Sequence, residues 1–256
     1  MEVRIDNRTV PFDAGRVEMT LVEHVEELRQ RLFVCVAAVF VGTAIGFIFR
    51  EAILELLLRP LPIEANALIG YDGTRRIAVT GIGEGFSVLL KLSIAAGIAL
   101  ATPVWVYQLW SFTVPALRAR EKKYAVPVTS VGIVLFIAGL GVGFVTLRYP
   151  INWLLSFDNG HFVQVITADN YFTFVAYFLL AFGITFELPL VLTFLAVIDV
   201  VSSETLKVYR VHILVGLWIA SCFVTPGADP YSPVIVGVAL TVLHFVSETL
   251  IRLIGK

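Results

Sequence analysis

Apolar residues run along this chain in long uninterrupted stretches, not in the alternation that marks a half-buried surface. Lipid offers a backbone no hydrogen-bond partner, so crossing a bilayer core of about 30 Å takes about 20 apolar residues of helix. Six stretches approach that length. Leu32 to Phe49 carries no charge and is bracketed by Arg31 and Arg50. Phe86 to Phe112 contains Lys91 and Pro103, Ala125 to Leu147 is free of charge, and Tyr171 to Ile198 contains Glu187 and Pro189. Val211 to Val224 is shorter, and the turn-forming run Thr225-Pro226-Gly227-Ala228-Asp229-Pro230 separates it from Val234 to Leu250. The pattern predicts an all-α polytopic membrane protein with six transmembrane helices, over about 32–49, 86–112, 125–147, 171–198, 211–224 and 234–250. The fifth and sixth are expected to be short, the fifth reaching only about 21 Å at 1.5 Å per residue.

The polar segments orient these spans. Thr20-Leu21-Val22-Glu23 is a capping box that opens a helix toward the first span, and Leu21, Val25, Leu28 and Leu32 recur at helical spacing along the interface. The loop from Arg50 to Gly85 is Pro-rich at Pro60 and Pro62, with a short amphipathic helix expected at Glu51 to Leu58 and a turn at Tyr71-Asp72-Gly73-Thr74. Basic residues resist translocation. Arg4, Arg8, Arg16, Arg29, Arg31, Arg118, Arg120, Lys122, Lys123, Lys207, Arg210, Arg252 and Lys256 fall on one side, against Arg50, Arg59, Arg75, Arg76 and Arg148 on the other. Thirteen against five puts both termini in the cytoplasm, with Asp158 and Asp229 outside. Residues 1–19 form a polar extension lacking the features of a cleavable signal, and residues 20–256 form a single transmembrane domain.

Composition agrees: 58% of the 256 residues are hydrophobic and 15% charged, with a mean hydropathy of +0.87. The net charge of −1 gives no footing for nucleic-acid binding. Two cysteines, Cys35 and Cys222, are too few for a disulfide framework or a thiolate metal site. No phosphate-binding glycine loop, metal-binding His-Glu-x-x-His or nucleophile elbow occurs, so no enzyme, cofactor or metal is expected. Two acids stand out. Glu27 lies four residues before Arg31, so it reads either as an i,i+4 ion-pair partner or as a binding carboxylate. Glu187 lies inside an apolar span with no basic residue within four positions, where ionisation is costly. It serves either as a hydrogen-bonding group between helices or as a functional acid.

His24-Val25-Glu26-Glu27-Leu28-Arg29-Gln30-Arg31-Leu32 resembles the opening of the TatC family, the polytopic subunit of the twin-arginine protein translocase. Gly83-Glu84-Gly85-Phe86 with Lys91-Leu92 is similar to that family's entry into the second span. Pro103, Tyr107-Gln108-Leu109-Trp110-Ser111-Phe112, Pro115-Ala116-Leu117 and Glu121 resemble its second-span exit and first cytoplasmic loop. Phe186-Glu187-Leu188-Pro189 resembles its acidic fourth-span motif, and Thr225-Pro226 with Asp229 and Ser232 its last outer turn. Departures are Ser232-Pro233, Ala239 and His244-Phe245, where the family often has Ser-Gln, Pro and Tyr-Glu. The first 18 residues have no counterpart, which makes Met19 a second candidate start.

The resemblance implies a receptor for folded cargo bearing an Arg-Arg signal peptide, in the cytoplasmic (inner) membrane of a prokaryote. It would work with TatA-type and TatB-type single-span subunits, as a homo-oligomer within a larger complex, driven by the proton motive force. It implies a signal-peptide site drawing on Glu27, Glu121, Arg29, Arg31, Trp110 and Phe112. Guanidinium pairs call for carboxylates that accept forked, charge-assisted bonds. Glu121 sits among four basic residues, however, and reads equally as a solvated acid in a topogenic loop. Glu187 would belong to an intramembrane polar patch facing partner helices, and Pro60 and Asp229 to a bracing outer cap. The alternative is a proton-coupled secondary transporter using Glu187.

Overall fold

The computed structural model describes residues 21–61, 68–69, 75–113, 125–157, 165–197, 200–227 and 229–253. The polar extension 1–19, the Tyr71–Thr74 turn, the basic loop with Glu121, and Asp158 lie outside the described residues. Helix α1 (Leu21–Ile48) runs without a break from the amphipathic start through the first span. The interfacial segment and the span are one helix of 28 residues. Most of its apolar residues stay exposed, Phe33 at 75% and Phe40 at 77%, as a lipid-facing helix requires.

Helix α1 packs on α3 (Glu84–Leu100) through small residues. A Cβ added to Gly97 would lie 2.6 Å from the Thr43 amide nitrogen and 2.8 Å from the Val39 carbonyl oxygen. Without a hydrophobic driving force in lipid, helices gain by close backbone approach of this kind. The expected second span is two helices: α3 ends at Leu100, α4 (Thr102–Thr113) follows, and their axes differ by 49°. Pro103 explains the break, because its ring lacks an amide donor and crowds the preceding turn.

The expected third span is α5 (Ala125–Thr146), which with the short helix α6 (Arg148–Leu155) covers one candidate span, Thr129–Leu155. The fourth is α7 (Ala168–Phe186) and α8 (Leu188–Val197), which together cover one candidate span, Ala168–Val197. The break between them falls at Glu187, two residues before Pro189. Phe136 of α5 and Phe182 of α7 fit against Gly183 and Gly143 of the facing helix, which brings these two backbones close.

After the small helix α9 (Ser203–Val208), α10 (Arg210–Val224) has only 15 residues, in keeping with the short fifth span. The sixth is not short: α11 (Tyr231–Leu253) has 23 residues. Apolar content alone underestimates it, because Tyr231 to Pro233 before the expected stretch and Ile251 to Leu253 after it also join the helix. Among the described residues four helical stretches are long and apolar enough to cross a membrane, five with the bent α3–α4 pair, and α10 is a shorter apolar helix.

The expected outer-loop helix is α2 (Arg50–Leu58). Past it the architecture departs slightly from all-α. Two-residue strands β1 (Leu68–Ile69) and β2 (Arg75–Arg76) pair antiparallel, and Ala78 bridges Thr167. The principal core joins this outer region to the bundle: Leu57 and Leu61 pack with Val88, Ile151, Tyr171, Phe172 and Val236. The Tyr171 hydroxyl donates to the Leu57 carbonyl at 2.7 Å, anchoring α2 on α7. Lys91 of α3 pairs with Asp169 of α7 at 2.6 Å, and the Asp169 amide donates to Glu84 at 3.1 Å. Cys35 and Cys222 are free thiols.

Replacing Gly97 by Val is expected to push α1 from α3 and destabilise the fold by about 1–3 kcal/mol, the usual range for overpacking. Gly141→Ala, where an added Cβ meets nothing within 4 Å, is the control and should melt like the parent protein. Thermal unfolding of both in the same detergent checks this.

Candidate functional site

Near the start of α1, helical spacing puts Glu27 and Arg31 on one face, and α4 brings Gln108 against them. Arg31 Nε donates to Glu27 Oε1 at 3.0 Å, Arg31 Nη2 donates to the same oxygen, and Arg31 Nη1 donates to Gln108 Oε1 at 3.1 Å. Both charged side chains are largely withdrawn from solvent, at 23% and 19% exposure. Glu27 is therefore an ion-pair partner, as one of its two readings held. The pairing uses only one carboxylate oxygen. Glu27 Oε2 is buried without a hydrogen-bond partner among the described residues. Glu27 lines a pocket of about 300 Å³ together with Gln30, Arg31, Val34 and Gln108. The chemistry on offer is one carboxylate oxygen and one amide, held in place by a guanidinium that spans two helices. An unmet carboxylate oxygen in a partly desolvated pocket favours a donor that arrives from outside.

The other residues expected here are dispersed. Arg29 is exposed and pairs with Glu26 at 3.2 Å, away from Arg31. Trp110 is buried at 5% exposure and stacks edge-on against Phe194 of α8, with ring centroids 5.1 Å apart. Its ring holds α4 to α8 and does not line the pocket. Phe112 is half-buried at the end of α4. Glu121 lies outside the described residues. Gln108 was the residue that motif reading left without a role. Its signal was an amide in a mostly apolar helix, one turn from that helix's end.

Glu187 occupies the break between α7 and α8, and there it is 6% exposed. Both of its carboxyl oxygens are buried without a partner among the described residues, so the expected packing hydrogen bond is not made there. A Cβ on Gly132 of α5 would lie 3.2 Å from Glu187 Oε2, 2.9 Å from Val106 and 3.1 Å from Leu190. The acid thus faces an apolar wall from α4, α5 and α8. The hydroxyls of Thr102 and Thr193, at the start of α4 and within α8, are buried and unpartnered as well. Helix breaks in membrane spans tend to gather polar groups, because interruption of the ladder lets them be accommodated.

At the other end of the spans, Pro60 is half-buried in the turn that closes α2, beside the fully packed Leu61. Asp229 is 4% exposed and caps α11: its Oδ1 accepts from the Ser232 amide and its Oδ2 from the Ser232 hydroxyl, both at 2.7 Å. The bonds to Ser232 give Asp229 a structural role in this geometry. No group of three potential metal ligands occurs among the described residues.

The family model described as "Sec-independent protein translocase protein (TatC)" matches residues 23–238. The protein TatC of Carboxydothermus hydrogenoformans is 34% identical over 230 residues, covering 90% of this chain and 91% of that one. TatCd of Bacillus subtilis is 36% identical over 241 residues, covering 93% and 94% respectively. A crystal structure of the twin arginine translocase receptor TatC superposes with a TM-score of 0.74 at 29% identity, over 91% of this chain and all of that one.

A buried carboxyl without a partner costs stability, about 1–3 kcal/mol. Glu187→Leu, of similar volume, is therefore expected to unfold at a higher temperature than the parent protein. Calorimetry or thermal unfolding in detergent reads the shift, and a lower melting temperature would mean that the carboxyl is bonded in the folded protein.

Proposed function

The chain belongs to the TatC family of Sec-independent protein translocase proteins and is a multi-pass membrane component of that machinery, and from this premise we propose that it is the receptor for Arg-Arg signal peptides of folded cargo. It binds the signal peptide at the cytoplasmic face and nucleates a translocation site driven by the proton motive force. The solved relative named a twin arginine translocase receptor supports this reading. The observation that carries it is Glu27, whose Oε2 has no partner among the described residues and whose side chain, held by Arg31, lines a pocket with Gln108. In this reading an incoming guanidinium takes that oxygen, Glu121 supplies the second carboxylate, and both termini lie in the cytoplasm with six spans between them. TatA-type and TatB-type subunits dock on the intramembrane surface near Glu187, in the inner membrane of a prokaryote.

Photocrosslinking of an Arg-Arg signal peptide, against its Lys-Lys variant, tests the receptor reading. Charged hydrogen bonds contribute about 1.5–3 kcal/mol, so Glu27→Ala should lower binding by about ten- to a hundred-fold, and Glu121→Ala similarly. Glu26→Ala, which removes only the exposed pair with Arg29, should bind like the parent protein. Equal crosslinking in all four proteins would return Glu27 to a purely structural role.

Glu187→Ala is expected to impair transport while leaving peptide binding largely intact, with Glu187→Gln milder, because an amide keeps hydrogen-bonding capacity at that position. Transport of a folded cargo into membrane vesicles measures both. Equal defects would instead point to a titrating carboxyl.

A further inference from the structure

A second polar cluster lies where α10 begins and α11 ends. Arg210, the first residue of α10, donates through Nη2 to both oxygens of Glu248, at 2.9 and 2.8 Å. Arg252, one turn on from Glu248 along α11, donates to Glu248 Oε1 as well. The carboxylate is 3% exposed, whereas the two arginines remain 38% and 47% exposed. Two guanidiniums therefore share one buried carboxylate, and one positive charge is left over. Only the Nη2 atoms are engaged; the Nη1 and Nε groups of both arginines have no acceptor among the described residues, and Arg210 Nε is buried. His244, one turn before Glu248, is fully buried with both ring nitrogens unpartnered among the described residues, within electrostatic reach of Glu248 and Arg210.

A single arginine at a span's end needs no ligand, because its head can reach interfacial water. Two that converge from neighbouring helices on one carboxylate, leaving a surplus positive charge, are a different arrangement. We propose that the Arg210–Glu248–Arg252 cluster is a binding site for the phosphate of an anionic phospholipid at the membrane edge. The surplus charge of one matches a headgroup with net charge −1, and guanidinium forks match phosphate oxygens. The surroundings favour a lipid over a free anion. Val208 is 75% exposed, Val211 70% and Leu253 79%, and Phe245 lies under the Arg210 guanidinium at 5.4 Å. Acyl chains would cover these side chains, and basic pockets between spans are a general mode of headgroup recognition. The site is independent of the signal-peptide reading, since it involves none of those residues and its readout is lipid retention.

The test is native mass spectrometry of the purified full-length protein after delipidation in detergent, with phosphatidylglycerol, phosphatidylcholine or inorganic phosphate added back. The expected result is retention of phosphatidylglycerol over phosphatidylcholine, and a loss of about ten-fold in Arg252→Gln, the effect of one charge-assisted bond. That variant leaves Glu248 paired with Arg210, and its melting temperature without lipid verifies folding. Lys207→Gln, an exposed basic residue of α9, should retain lipid like the parent protein. Should Arg252→Gln not fold, Arg252→Lys carries the test, with retention expected to fall several-fold because an ammonium lacks the planar fork. Retention unchanged in the folded variant overturns the site. Phosphatidylcholine retained as well as phosphatidylglycerol, or inorganic phosphate displacing the lipid at equal concentration, overturns the anionic-lipid assignment.

Discussion

Inside a bilayer every backbone amide and carbonyl must be satisfied by the protein itself, and the rest of this structure follows from how the chain meets that demand. Unbroken helix meets it along the uncharged runs of α1 after Arg31 and of α5. Where proline removes a donor, the helix must break, and the two broken spans place their interruptions at Ala101, before Pro103, and at Glu187, before Pro189. Those breaks hold some of the buried polar groups of the bundle. Thr102 and Glu187 sit at them, and Thr193 lies a turn and a half further along α8. The α4–α5–α8 region consequently combines an apolar wall with polar atoms that have no partner among the described residues, while His244, Ser247 and Glu248 form a second buried polar group on α11.

Close helix packing is the second consequence of the lipid environment. Gly97 against α1, and Gly143 and Gly183 between α5 and α7, let backbones approach where larger residues would hold them apart. The outer region adds what the spans alone lack. Leu57 and Leu61 enter the main core, the Tyr171 hydroxyl reaches back to α2, and Lys91–Asp169 joins α3 to α7. With Asp229 capping α11, one end of the bundle is braced by many contacts from different elements. The end that carries Glu27 and Gln108 is tied by Arg31, whose guanidinium joins α1 to α4, by Trp110 of α4 on Phe194 of α8, and by Arg210 of α10 on Glu248 of α11.

This arrangement suits a receptor. A braced end keeps the spans in a fixed arrangement, while the opposite end presents a carboxylate with one oxygen already committed and one unmet. Arg31 does two things there. It offsets the cost of withdrawing Glu27 from water, and it fixes the direction of the oxygen that remains. A bare acid on an exposed helix would carry neither property, which is why Glu26, paired on the surface with Arg29, is chemically a different residue despite its adjacency.

Much of the architecture was legible in the chain because span length and apolar content are local properties. The six apolar stretches correspond to α1, α3–α4, α5, α7–α8, α10 and α11, and the outer helix at 51–58 to α2. The acids Glu27 and Glu187 were legible for the same reason, since charge in or near an apolar run is visible without coordinates. The extent of α11 was less so, because the turn-like Tyr231-Ser232-Pro233 is taken up as the first turn of the helix, where proline is tolerated, and Arg252 near its end interrupts the apolar run without ending the helix. Other features were settled only by packing between elements distant in sequence. Trp110 turns inward onto Phe194, Gln108 meets Arg31 across 77 positions, and Arg210 meets Glu248 across 38. Periodicity says which face a residue occupies on its own helix. Only the arrangement of neighbouring helices decides what that face meets, and hence whether a carboxylate is saturated, shared or left with an oxygen to offer.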